Sequence, residues 1–184
     1  MTMLSQLATR LLAMTALLCV LATSGHASLE SIGKLDLSPY DPDSQLPGAA
    51  EAIAQANCSA NMVVALALGN NTDAAREQLG AAIENYGSAA NRLNSLADGA
   101  AFDGLAVDPE TPGLSTMGFL FETRPEEIDD IIRAIANRAD TAKDAATRIQ
   151  SGNEQPDDLI TLMTASSEIT MLLTLLGEAL VVSA

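Results

Sequence analysis

Two stretches of the chain repeat apolar residues with the alternating three- and four-residue spacing of one helix face. In the first, positions 75, 79, 82, 86, 89, 93 and 96 hold Ala, Leu, Ala, Tyr, Ala, Leu and Leu. In the second, positions 128, 132, 135, 139, 142, 146 and 149 hold Ile, Ile, Ile, Ala, Ala, Ala and Ile. Each stripe predicts a long amphipathic helix that must bury one side against other helices.

Start and stop signals divide the rest of the chain in the same way. We predict four helices, over residues 48–68, 72–97, 124–151 and 156–182. The third starts at a capping box, Thr123-Arg124-Pro125-Glu126, with proline in the first turn. Short connections between most of these helices predict an all-α fold, an antiparallel four-helix bundle whose domain covers residues 48–184.

Two irregular segments accompany the predicted bundle. Residues 28–47 contain Pro39, Pro42 and Pro47 and form a Pro-rich N-terminal arm. Residues 98–122 form a long linker between the second and third helices. Linkers of this length are uncommon in compact domains and are often functional.

Residues 1–27 have the pattern of a secretory signal peptide. Arg10 precedes an apolar run over residues 11–22, and Gly25-His26-Ala27 suits signal peptidase. We therefore expect a mature chain that starts at Ser28 and is periplasmic or secreted. His26 is the chain's single histidine, so the expected product has none.

This inventory argues against most catalytic and cofactor chemistry. The sequence has no Cys-x-x-Cys-His run for haem attachment, and a mature chain without histidine lacks the Glu-x-x-His pairs of di-iron bundles. No histidine is available to activate a cysteine, and no Gly-x-Ser-x-Gly elbow is present. We expect no catalytic residue, no metal site, no cofactor and no enzymatic activity.

The charge balance also restricts the partners. The chain has 24 acidic and nine basic residues, a net charge of −15. This charge argues against nucleic acid and anionic membrane surfaces and favours cationic partners. The segment 156–182 is very apolar, but Glu168 and Glu178 interrupt it. We expect a buried core helix and no membrane span in the mature chain; a C-terminal anchor is the alternative.

Cys58 would be the one cysteine left after the signal peptide, which contains Cys19, is removed. A lone cysteine in an exported protein is either a buried thiol or half of an intermolecular disulfide. The buried thiol is the favoured interpretation, because free cysteine often serves as a small core residue.

The predicted linker contains all three phenylalanines of the chain, Phe102 among them. Its candidate interaction or lid residues are Met117, Phe119, Leu120 and Phe121. The favoured interpretation is that they complete the core at one end of the bundle, and the alternative is a lid or a partner anchor. If the segment is extended, Met117, Phe119 and Phe121 lie on one side.

These features lead to two functional hypotheses. The first is a non-enzymatic protein for protein–protein interaction or assembly, which binds a protein partner or itself in the periplasm or outside the cell. The alternative is a helical bundle that binds a small apolar ligand beneath Phe119 and Phe121.

Overall fold

The computed structural model describes residues 32, 34–41, 43–69, 71–99, 101–153, 155 and 157–183. The expected signal peptide lies outside these residues. The described part contains five α-helices: α1 (Gln45–Leu68), α2 (Thr72–Asp98), α3 (Leu114–Met117), α4 (Ile128–Ser151) and α5 (Asp158–Ser183). The predicted all-α class is confirmed.

The four long helices pack as a bundle in chain order. Helix α1 packs on α2, α2 on α4 and α4 on α5, while α1 and α5 meet over a smaller area. Near the start of α4, Arg133 donates to the Ala97 carbonyl at the end of α2, at 2.6 Å. Near the end of α4, Gln150 reaches the Arg76 carbonyl near the start of α2, at 3.4 Å. The bundle is confirmed, and these contacts favour the antiparallel order, which stays a prediction.

Both apolar stripes face the core. All seven members of the stripe on α2 are buried, as are the first six on α4, and Ile149 is partly buried. Between these helices, a Cβ added at Gly80 would lie 3.2 Å from Gln150 Nε2, and one at Gly87 would lie 3.4 Å from Lys143 Cδ. Both glycines of α2 thus face long, flexible side chains of α4.

Helix α1 begins three residues before the predicted position 48. Asp41 explains the difference, because its Oδ1 accepts from the Gln45 amide at 2.8 Å and its Oδ2 from the Leu46 amide at 2.7 Å. Pro47 is tolerated because first-turn amides have no partner within the helix. The last residues of the predicted arm thus belong to α1.

The described part of the arm packs on its own chain. Ile32 and Leu37 are buried, and the Tyr40 ring stacks on Phe102 with centroids 5.7 Å apart. Since Phe102 is itself buried, this stack joins the arm to the segment that follows α2.

Helix α4 begins at Ile128, so the predicted start at Arg124 is wrong. The Val107 amide donates to the Glu126 carbonyl at 2.9 Å, and the Ile128 amide to the Leu105 carbonyl at 3.0 Å. This short pairing of two extended segments keeps the preceding residues out of the helix.

A different residue caps α4. Glu127 is the extended N-cap residue, with φ −123° and ψ 157°. Asp130 Oδ2 accepts from the Glu126 and Glu127 amides at 2.9 and 3.1 Å. The predicted box at Thr123 therefore lies outside the helix.

Helix α4 contains two acid–base pairs at i,i+4 spacing, Asp129 with Arg133 and Asp144 with Arg148, but both arginines bond elsewhere. Asp129 is buried, and burial is the largest of the causes that raise the pKa of its carboxyl. Arg133 donates to the end of α2 instead. Arg148 pairs with Asp158 at 2.7 Å rather than with Asp144. Tertiary neighbours thus compete with i,i+4 pairing.

Helix α5 is the one described helix that is long and apolar enough to cross a bilayer, judged by length and composition alone. An 18-residue window within Asp158–Val182 has a mean hydropathy of 1.6, and 56% of that window is buried. A core helix of a soluble bundle meets the same criterion.

Candidate functional site

Residues 113–121, called the strap below, contain the four candidate residues and pack on α5 through α3. Leu120 is buried, and Met117 and Phe121 are partly buried against the core. Phe119 is 72% exposed. The candidates therefore separate into three residues that pack on the core and one that faces solvent.

The strap is helical over residues 114–120, so the condition of an extended segment, under which Met117, Phe119 and Phe121 would lie on one side, is not met. Gly113, at φ 78°, starts the turn, and its carbonyl accepts from the Thr116 and Met117 amides at 3.0 and 2.8 Å. A 3₁₀ turn over Gly118–Leu120 follows. Helical spacing directs Met117 and Leu120 inward and leaves Phe119 outside.

The two ends of the strap meet different charged side chains, Arg138 of α4 and Glu178 of α5. At the far end, Arg138 of α4 donates to the Leu120 carbonyl at 3.4 Å and forms an ion pair with Glu168. At the near end, Gly113 lies over Glu178, whose Oε2 is buried without a hydrogen-bond partner. Burial raises the pKa of the Glu178 carboxyl above its ordinary value.

A second site is a buried polar network that joins α1, α2 and α5. Asn57 Oδ1 accepts from the Tyr86 hydroxyl at 2.7 Å and from Ser166 Oγ at 2.8 Å. Asn57 Nδ2 donates to Thr170 Oγ1 at 3.1 Å. Burial raises the pKa of the Tyr86 hydroxyl far above its ordinary value. Tyr86 therefore stays neutral, and the network orients the helices rather than supplying a nucleophile.

Sequence reasoning treated Tyr86 as one member of an apolar stripe and missed this network. The available signal was that a buried tyrosine hydroxyl needs a hydrogen-bond partner. Asn57, a polar residue in an Ala-rich helix, was a candidate partner. The same contacts occupy both polar atoms of the Asn57 amide.

Cys58 is exposed, so the favoured interpretation of a buried thiol is wrong. It lies on α1 beside Asn57, whose side chain turns inward while that of Cys58 turns outward. The intermolecular disulfide stays a prediction.

One pocket, of about 260 Å³, lies between the arm and the end of α2. It is lined by Tyr40, Asp41, Asp43, Gln45, Ser95, Leu96 and Ala101. No residue of the strap lines it, so it gives no support to a ligand beneath Phe119 and Phe121. Asp41 is already used there to cap α1.

No group of three or more histidine, cysteine or acidic side chains suited to a metal ion occurs in the described part of the chain. No known protein family, no curated protein and no solved structure matches this chain. Function is therefore argued from the geometry of the strap and of the bundle.

Proposed function

We propose that this chain is a non-enzymatic interaction protein, exported to the periplasm or the cell exterior, whose strap presents Phe119 to a protein partner. The observation that carries the proposal is the 72% exposure of Phe119 in a segment whose neighbouring apolar side chains pack inward. A single exposed apolar residue is common on protein surfaces. Phe119 differs because it is an aromatic residue in a turn that is held against the core by buried Leu120 and by partly buried Met117 and Phe121.

The charge of the chain indicates the chemistry of the partner. The net charge is −15, and Glu122 next to the strap is exposed. Two copies of such a chain repel each other at low ionic strength, and a basic surface is attracted. We therefore expect an apolar pocket with a basic rim on the partner. Self-association through Phe119 is the second possibility.

The test places a photoreactive amino acid at position 119 and, as the matched control, at position 160. Ile160 is 59% exposed on α5, so both probes report on an exposed apolar position. The proposal expects one defined cross-linked product from position 119. An excess of unlabelled wild-type chain should suppress this product by competing for the partner, and an excess of the Phe119→Ala chain should not. Identical products from both positions would contradict it.

Light scattering behind size exclusion, with and without reductant, separates the possible partners. A dimer that reverts to monomer on reduction assigns self-association to Cys58. A dimer in both conditions that Phe119→Ala converts to monomer assigns it to the strap. A monomer in both conditions directs the search to a different protein.

The alternative function, binding of a small apolar ligand beneath the strap, stays a weaker proposal because the described pocket lies elsewhere. It is tested by extracting the purified chain with organic solvent. A stoichiometric apolar molecule would favour it over the interaction proposal.

A further inference from the structure

Two carboxylates of α5 are linked to the strap in different ways. Glu168 has a cationic partner, Arg138, which also holds the Leu120 end of the strap. Glu178 has no hydrogen-bond partner for its buried Oε2 atom. Glu178 as a whole is partly buried, and the loss of hydration at this one oxygen disfavours the charged form of the carboxyl.

The strap itself closes over Glu178. Gly113 has φ 78°, and a Cβ there would lie only 3.0 Å from Glu178 Oε2. The Met117 methyl also lies near Gly113, since a Cβ on Gly113 would be 3.3 Å from Met117 Cε. The docked strap therefore lies against the one oxygen of Glu178 that is shielded from water.

Other charges do not compensate for this burial. Residues 113–121 contain no titratable side chain, and Glu51 is the single charged residue of α1. Among the described residues, burial is the one resolved cause of the raised pKa of Glu178. The charged residues in the first half of α4, which packs against α5, are Asp129, Asp130, Arg133 and Arg138.

We propose that protonation of Glu178 controls whether the Gly113 end of the strap is docked on α5. With a neutral carboxyl the strap lies closed. The ionised carboxylate draws water to itself and displaces residues 113–117, while Arg138 keeps the Leu120 end in place. This inference rests on the proposed function, because it makes the presentation of Phe119 dependent on pH.

The direction of the pH dependence follows from linkage. Burial raises the pKa of Glu178 in the docked state, and the proposal holds that undocking exposes this carboxyl, so the docked state binds the proton more tightly than the undocked state. Docking is strongest below the ordinary carboxyl value of 4.5. Docking weakens as the pH rises through the docked-state pKa of Glu178. The ratio of docked to undocked strap should fall by at most about tenfold per pH unit.

Hydrogen exchange of the strap tests this inference without any partner. The amides of Thr116 and Met117 are bonded to the Gly113 carbonyl in the docked strap. Their protection factors, corrected for the intrinsic pH dependence of exchange, should fall between pH 4 and pH 8 in the wild-type chain. In Glu178→Gln they should stay high throughout, and Glu51→Gln should behave as wild type.

Flat protection in the wild-type chain, or the same fall in Glu178→Gln, would overturn the proposal. Carboxyl-carbon NMR of Glu178 in the wild-type chain gives a second readout that needs no variant, and a midpoint at or below 4.5 would also overturn it. Gly113→Ala should lower strap protection at every pH. If strap protection depends on pH through Glu178 but association does not depend on Phe119, the proposed function fails and the control of the strap by Glu178 stands. If association depends on Phe119 but strap protection does not depend on pH, only the control by Glu178 is rejected.

Discussion

The centre of the bundle and the strap both bury polar atoms, but they do so in opposite ways. At the centre, Asn57 accepts two hydroxyl protons and donates one bond, all between 2.7 and 3.1 Å. Under the strap, Glu178 Oε2 has no donor. The comparison shows that burial alone does not decide whether a polar group stabilises this fold.

The physical difference lies in charge and in partners. A satisfied network of neutral groups costs little to bury and fixes the relative positions of three helices. A buried carboxylate without a donor loses its hydration and gains nothing in return. The centre should therefore be insensitive to pH over the range in which the strap responds to it.

The largest loss in the free energy of unfolding is expected from Asn57→Ala, which removes the central residue of the hydrogen-bonded network. Tyr86 and Ser166 would lose the acceptor of their hydroxyl groups, and the free energy of unfolding should fall by about 3 kcal/mol. Chemical denaturation at pH 7 measures it. Cys58→Ser is the matched control, since this exposed neighbour should change the value by no more than about 0.5 kcal/mol. Equal effects of the two changes would mean that the network contributes nothing.

A smaller effect is expected from Tyr86→Phe. The ring stays buried, and Asn57 Oδ1 keeps its bond from Ser166, so the loss should be about 1 kcal/mol. The same denaturation experiment measures it. The double variant Tyr86→Phe, Asn57→Ala should lose less free energy of unfolding than the sum of the two single losses, because both changes remove the same hydrogen bond. Full additivity would show that Tyr86 and Asn57 act independently.

At the strap, Glu178→Gln should raise the melting temperature, and the gain should depend on pH. The folded-state pKa of Glu178 is raised, so its stabilising contribution is complete below the unfolded value of 4.5. That contribution is lost as the pH rises through the folded-state pKa. Gln does not titrate, so the difference between variant and wild type should be near zero at pH 4 and grow toward pH 8.

Asp158→Asn, also on α5, should change stability with the opposite dependence on pH from Glu178→Gln. The hydrogen bond from Arg148 is the first cause that lowers the pKa of Asp158 below 3.8. Its contribution is therefore present above 3.8 and lost as the pH falls toward the folded-state pKa. The variant should melt below wild type at pH 7, with a difference that shrinks in acid. Parallel pH profiles for the two variants would reject the assignment of either carboxyl.

The smallest change in stability is expected from Phe119→Ala. Because the ring is 72% exposed, its removal should alter the free energy of unfolding by no more than about 0.5 kcal/mol. Leu120→Ala, at the next residue but at a buried position, should lower it by about 2 to 4 kcal/mol. Similar losses in the two variants would show that Phe119 belongs to the core rather than to an interaction surface.

Much of the bundle was predictable because its information is local. The stripes on α2 and α4 recur every three or four residues, and that spacing alone places them on one face. The start of α4 was not predictable in this way. The backbone hydrogen bonds of Val107 and Ile128 join residues about 20 positions apart. They hold residues 124–127 outside the helix although the local capping box at Thr123 favours a helix start there.

The candidate site was predicted in its location and not in its geometry. Composition identified the segment that holds Phe119 and Phe121, but the side on which each ring lies depends on the turn that Gly113 starts. The partners of Asn57 lie 29, 109 and 113 residues away. No pattern along the chain links them.

The sequence by itself determined the helical class, the buried faces of α2 and α4, the acidity, and the shortage of catalytic side chains, because each depends on residue type and short-range spacing. The tertiary structure alone decided that Cys58 faces solvent, that Asn57 and Tyr86 share a hydrogen bond, and that Glu178 lies beneath Gly113. These are properties of distant segments brought together, since the environment of a side chain is set by what packs on it.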